Sequence, residues 1–458
     1  MYEPHERDEL AGELSQAFLA APWRAEALAE EGAARLDRWP SWMPGLALSV
    51  VAVQRTRPVG RRGELHGLIT AFLAEHAAHP EEPRPPRVVR EWSDLLPAGY
   101  RPRAPAPSPH WAVAEIDSVT ELARMLELSE GQLAWLADVR GLERTVADER
   151  LRNYRYRALP RRNGPPRVIE SPKARLKEIQ RWVLREILDR VAAHEAAHGF
   201  TRGRSVITHA REHTAARVVL RLDLRDFFAS VPAARVFGIF RSLGYRRTVA
   251  HALTGLTTNV VPATAWDTVA RTIDAGADGT GPAARFRLGR RLATPHLPQG
   301  APTSPALANL AAFRLDRRLT GLATALDLRY SRYADDITLS GSIRLARINA
   351  GLIDRIAEIA RSEGFALNER KSALRTAADR QTVCGVVVNA RPNVPRTEYD
   401  ALRAILHNAA HHGVAGQNRA GVPDFRSHLL GRIAWVAQLN PARGRRLREA
   451  LERIDWDV

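Results

Sequence analysis

The feature that most constrains this chain is the run Leu328-Arg-Tyr-Ser-Arg-Tyr-Ala-Asp-Asp-Ile-Thr-Leu-Ser-Gly341. Segments rich in aromatic and β-branched residues flank an acidic turn, which predicts a hairpin with Asp335 and Asp336 at its tip. Neighbouring carboxylates repel one another, and a divalent cation relieves that cost. Asp-Asp is also an ordinary turn pair, so two readings stand for this stretch alone, a cation site and a plain turn. Far upstream lies Val218-Val-Leu-Arg-Leu-Asp-Leu-Arg-Asp-Phe-Phe228, where an apolar strand runs into Asp223. A strand-end carboxylate and a hairpin pair brought together could hold two Mg²⁺ ions about 3.5–4 Å apart, which is phosphoryl-transfer chemistry.

Charge bears on the partner. Lys and Arg number 68 against 51 Asp and Glu, a formal net charge of +17. An excess of this sign favours a polyanion, because each neutralised phosphate releases counterions. Excess Arg also arises in GC-rich genomes, so charge supports nucleic acid without identifying it. Cys384 is the only cysteine, which excludes an intramolecular disulfide and a multi-cysteine zinc site. Apolar runs such as Gly45 to Val53 are too short to span a bilayer, and the first residues are acidic rather than a basic leader. The expectation is a soluble, cytoplasmic protein without a membrane partner.

Residues 1–79 read as a helical N-terminal extension, with Leu10, Leu14, Phe18 and Leu19 at helical spacing. Trp23, Trp39 and Trp42 read as core packing, with base stacking as the alternative. Residues 80–110 are proline-rich, which blocks helix and central strand and predicts a semi-rigid linker. Ser118-Val-Thr-Glu121 predicts a capped helix, with a second start at Ser129.

Asn163-Gly164 predicts a hairpin turn beside Arg161, Arg162 and Arg167. That hairpin is either a solvated edge or a cover over triphosphate oxygens. A helix from Lys173 to about Arg190 follows. At its exit, His194-Glu195-Ala-Ala-His198 matches the zinc-peptidase pattern and supplies a rival enzyme class. Gly199-Phe200 stops that helix, and Thr201 and Arg204 stand where the extended metzincin pattern needs glycine and histidine.

Further on come a helix from Pro232 to Leu243 and a polar, Gly-containing insert over 262–290. The loop His296 to Pro305 follows, in which Gly300 permits close backbone approach and Gln299 offers donor and acceptor. A helix from Ile343 to Glu363 leads to Gly364-Phe-Ala-Leu-Asn-Glu-Arg-Lys371, and Gln381 to Asn389 reads as a strand. From Thr397 the chain is helical and basic, with Arg443, Arg445, Arg446 and Arg448 near the end.

The order of these motifs from Tyr156 to Asn389 resembles a reverse transcriptase, specifically the bacterial retron type. Asp223 with Phe227-Phe228 resembles the first palm motif. Leu297 to Pro305 resembles the Gln-Gly-x-Pro-x-Ser-Pro motif, Tyr333 to Asp336 the catalytic hairpin, and Gly364 to Lys371 the following lysine-bearing motif. Thr208 to His213 resembles the retron hallmark Asn-Ala-x-x-His, with His209 in place of asparagine. Val383-Cys384-Gly385 resembles Val-Thr-Gly with cysteine substituted.

The resemblance implies an α+β right-hand polymerase: fingers and palm over 111–395, the palm a small antiparallel sheet packed on helices, and a basic helical thumb over 396–458. It implies catalysis by Asp223, Asp335 and Asp336 with two Mg²⁺ ions. It implies dNTP contacts from Arg162, Arg167, Asp226, Phe228, Gln299, Gly300 and Lys371, and RNA contacts from Ala210, His213, Arg445 and Arg446. For Phe228 a sugar gate and a core ring remain alternatives; for Lys371, a triphosphate contact or proton donor and a surface lysine. The implied partners are a non-coding template and primer RNA, its DNA product, dNTPs and an effector protein from the same operon. The implied product is a branched RNA–DNA (msDNA), made in antiphage defence. Other bacterial reverse transcriptases, whether defence-associated, CRISPR-linked or group II intron-like, are the alternative.

Overall fold

The computed structural model describes residues 4–36, 40, 42–54, 62–76, 111–146, 148–159, 167–267, 281–368 and 371–456. The proline-rich segment 80–110, Trp39, and Arg161, Arg162, Asn163 and Gly164, for which a turn was expected, lie outside them. The described residues fall into two compact units, one drawn from Met1–Ala192 and Phe228–Ala311, the other from Ala193–Phe227 and Ala312–Val458. Helices are interspersed with strands that pair antiparallel, an α+β arrangement. Among the described residues no helix is long and apolar enough to cross a membrane.

In the first unit, helices Pro4–Ala20, Ala25–Arg35, Met43–Val53 and Arg62–His76 pack around a core that includes Leu14, Phe18, Met43, Leu46 and Phe72. Trp42 is buried in this core, and Trp23 donates its indole N–H to the Gln54 carbonyl at 2.6 Å. Both therefore serve packing. The helix Gly281–Leu292 joins the same core through Phe286, whose ring meets Phe72 edge-on. Of the expected polar insert over 262–290, residues 268–280 lie outside the described residues, and the described end is corrected: this arginine-rich helix carries apolar positions on two sides, Phe286 on one and Leu288 and Leu292 on another.

Ser118 caps the helix Val119–Met125 as expected, while the reciprocal capping box forms one helix later, between Ser129 and Gln132. Strands β1 (Tyr154–Leu159) and β2 (Arg167–Pro172) pair antiparallel, Leu159 opposite Arg167. The helix Ala174–Glu186 follows, shorter than the expected span because a 3₁₀ turn, Leu188–Arg190, completes it.

The second unit is built on a four-stranded antiparallel sheet in the order β4 (Arg329–Tyr333), β5 (Asp336–Gly341), β3 (Val218–Asp223), β6 (Ala373–Thr376). Val218, Leu220 and Leu222 of β3 are buried, and helices Phe313–Ala325 and Arg344–Ser362 pack on the sheet. The run from Gln381 to Asn389 is a tight hairpin instead of one strand, β7 (Thr382–Val383) and β8 (Val386–Val387). Its turn residues Cys384 and Gly385 have φ of 45° and 83°, the all-positive pattern of a type I′ turn, and Gly385 was the available signal. Helices Arg396–His412, Phe425–Leu439 and Pro441–Glu452 close around their own core of Leu402, Leu406, Ile433, Val436 and Leu447.

Candidate active site

The sheet register assembles the three carboxylates. Asp223 ends β3 directly opposite Asp336, and Tyr333 pairs with Asp336 across β4 and β5, so Ala334 and Asp335 form the turn. Only Asp335 occupies the tip that was expected to carry both acids; Asp336 is the first residue of β5. Directly paired residues share a face of the sheet, which puts Asp223 and Asp336 side by side. The Leu224 N–H donates to the Asp335 carbonyl at 2.8 Å, locking the end of β3 to the turn.

Each acid has a distinct environment. Lys371 Nζ reaches both oxygens of Asp223, at 3.0 and 2.9 Å, and Asn368 Nδ2 donates to Oδ1 at 3.3 Å. Asp336 Oδ2 accepts from Arg221 Nη2 at 2.9 Å and from the Cys384 thiol at 3.4 Å. Burial, and secondarily Asp336, pushes the Cys384 thiol far above its ordinary range, so it remains a neutral donor. Asp335 has its pKa raised by burial first and then by the Asp223 charge, with Lys371 opposing. This is a cluster of hard oxygen donors carrying negative charge that the protein only partly offsets, and an ammonium group already bridges one member.

Such a donor set fits a small divalent cation. Among the described residues no three potential ligands form a ready-made metal cage. Mg²⁺ is commonly held by one or two carboxylates completed by water and substrate phosphates, for which an open set is the suitable form.

The turn rests on residues that sequence patterns did not single out. Arg332 is fully buried; it binds Asp316 at 2.7 and 2.6 Å through Nε and Nη2, and donates from Nη1 to the Ala334 carbonyl at 2.8 Å. A buried arginine has no sequence signal, since its type predicts a surface position. Ala334 adopts φ of 55°, in the left-handed region, at the turn position where a type II′ hairpin prefers glycine. Gly199 packs against it: a Cβ there would stand 2.5 Å from the Ala334 nitrogen.

In the first unit, Glu170 is almost fully buried and gathers the His296–Pro305 loop onto β2. Its carboxylate meets His296 Nε2 at 3.0 Å, Asn259 Nδ2 at 2.8 Å and the Gln299 N–H at 3.4 Å, while the Glu170 N–H donates to the Gln299 carbonyl at 2.9 Å. Burial opposes charge on His296, but Glu170 outweighs it and the pKa is raised. Gly300 has φ of 136°, and a Cβ would lie 2.8 Å from the Glu170 carbonyl oxygen, so glycine is required twice over. Arg167 is exposed on β2.

Asp226 has φ of 49°; Phe227 is core, its ring 5.7 Å from that of Phe365 in a tilted pair and under Arg332, while Phe228 is half-buried. Arg445 and Arg446 are exposed on Pro441–Glu452. Arg162 lies outside the described residues.

One expectation is overturned, and one rival reading falls with it. Ala210 and His213 are fully buried and cannot offer their side chains to RNA. His213 instead bonds Ser340 and Ser331, each at 2.8 Å, and His209 bonds Ser331 at 2.7 Å and Thr338 at 3.3 Å. The Ala-x-x-His stretch is an internal clip that fastens the helix Val206–Glu212 to β4 and β5. The zinc pattern also fails: 194–198 are not helical, His194 packs on Phe313, and His198 Nδ1 bonds Thr208 at 2.9 Å. Without a helix, the i and i+4 imidazoles do not share a face.

Residues 159–388 match the family of reverse transcriptases, RNA-dependent DNA polymerases. The chain is 35% identical over 357 residues to the retron Mx162 reverse transcriptase of Myxococcus xanthus, covering 75% of this chain and 68% of that protein. It is 39% identical over 301 residues to the retron Mx65 reverse transcriptase of the same organism, covering 65% and 64%. To the retron Ec86 reverse transcriptase of Escherichia coli it is 30% identical over 308 residues, covering 66% and 82%.

Proposed function

The chain belongs to the retron-type reverse transcriptases, hence to the RNA-directed DNA polymerases, and from this we propose that it copies a structured non-coding RNA of its own locus into DNA. The product remains joined to the RNA through a 2′-hydroxyl branch, and the complex acts in antiphage defence with an effector protein from the same operon. The observation that carries the catalytic part is the register that sets Asp223 opposite Asp336 with Asp335 in the adjoining turn.

Enzymes of this family use divalent ions, and we assign two Mg²⁺ to Asp223, Asp335 and Asp336. Bound there, they would supply a lowered pKa at the primer hydroxyl and neutralisation of the leaving pyrophosphate. Lys371 exchanges Asp223 for the incoming triphosphate. Arg167, with Arg162, grips that triphosphate by forked hydrogen bonds, and Asp226 contributes through its backbone. The Phe228 ring excludes a ribose 2′-hydroxyl by sterics. Gln299 and Gly300 meet the template and nascent base pair. In this reading 111–395 are fingers and palm, 396–458 a thumb whose Arg445 and Arg446 hold an RNA–DNA hybrid by its phosphates, and 1–79 a helical extension.

The test uses protein expressed from its own locus, with Asp335→Asn as control. A discrete co-purifying DNA whose size shifts after debranching, and which the variant lacks while still retaining RNA, is the expected outcome. Synthesis by the variant would overturn the carboxylate assignment. RNA without such DNA, from protein active on an added primer and template, would retain the polymerase and discard the branched product.

A further inference from the structure

Beside the catalytic turn the protein displays an aromatic ring to which the proposed chemistry gives no task. Phe200 is 50% exposed, and its φ of 60° is a rare conformation for a bulky side chain. The segment carrying it is fastened to the hairpin: the His198 N–H donates to the Arg332 carbonyl at 2.7 Å, and the Arg332 N–H to the Ala196 carbonyl at 2.8 Å. One residue later, the backbone at Gly199 lies against Ala334 with no room for a methyl group. Phe200 is thereby carried to the turn that holds Asp335. Its ring lies 6.4 Å from that of Tyr333, the two planes inclined by 39°. Exposed Arg202 follows two residues on.

We propose that Phe200, extended by Tyr333, is a stacking shelf for the nucleobase at the reacting end of the primer strand. The inference rests on the polymerase reading above. If the carboxylates flank the attacking hydroxyl, the base on that same sugar is the nearest π-surface to a ring beside the turn. Aromatic rings accept any base face, which suits an enzyme that must hold a changing primer end. Arg202 adds positive charge where the adjoining phosphates run.

The experiment uses the full chain and a primer–template with 2-aminopurine at the primer terminus, whose fluorescence falls when it stacks. Phe200→Ala is expected to weaken primer–template binding by about tenfold, within the range of one base–aromatic stack, and to abolish the additional quenching that binding of the unmodified protein produces over the free primer–template. The KM for dNTP and the thermal unfolding midpoint should stay as in the unmodified protein. Phe200→Trp should preserve binding and quenching. The shelf is overturned if Phe200→Ala binds normally, if Phe200→Leu does so, or if quenching occurs only with the label on the template strand. An unmodified protein that extends no primer would instead bring down the polymerase reading, and the shelf with it.

Discussion

The carboxylates are placed by backbone pairing, but the side chain that holds their turn in shape is Arg332. Its guanidinium is completely buried, its charge is matched by Asp316, and Tyr330 donates to the same carboxylate at 2.7 Å. Removing one partner from a buried pair leaves the other charged and unsatisfied, which costs about 3–5 kcal/mol. Asp316→Ala should therefore lower stability by that amount in urea unfolding, and a loss under about 1 kcal/mol would show that the pair is not structurally required. Lys371 differs in kind. Its side chain is 49% exposed, so its bond to Asp223 is screened by water and is available for exchange.

At the scale of elements, two devices hold the hairpin β4–β5. The first is the close approach of Gly199 to Ala334. Gly199→Ala should leave the fold intact but push the turn, and displacements near 1 Å at a reacting centre cost about a hundredfold in rate. Single-turnover primer extension would read this, and an unchanged rate would count against the contact. The second device is the histidine clip.

Burial lowers the pKa of His198 to about 4 and of His209 to about 3, and lowers that of His213 well below the usual value. His198, Arg221 and Arg332 face His209 and add to the effect. The unfolded chain therefore takes up protons first, as pH falls below the ordinary value of 6.5. Stability from the clip is complete above that pH and is lost progressively toward the lowered folded values. Denaturant unfolding at pH 7 and pH 4.5 should show the loss, and His209→Asn should narrow the gap between the two. An equal gap in both proteins would remove the histidines as its cause.

For the whole molecule the governing quantity is charge. A formal net charge of +17 predicts strongly salt-dependent nucleic-acid binding. In filter binding, the slope of log K against log salt should fall by roughly one unit for each phosphate-contacting arginine removed. Arg445→Ala with Arg446→Ala should thus reduce it by about two, and an unchanged slope would take these residues off the phosphate backbone. The helix that carries both shares a core with Arg396–His412 and Phe425–Leu439.

The order of acidic, glycine-containing and basic motifs was legible from local chemistry. Strand β3 was visible as an apolar run into Asp223, the hairpin at Tyr333 to Asp336 carried its own turn, and the family likeness followed from several motifs in one order. These properties reside in short segments, which the chain itself spells out. Tertiary structure alone decided that Asp336 pairs with Asp223, that Arg332 is buried, that Ala210 and His213 belong to the core, and that Glu170 anchors the Gln299 loop. Each of these depends on residues far apart in sequence meeting in one small volume, and the environment so formed, rather than the residue type, sets whether a charge is buried, paired or exposed.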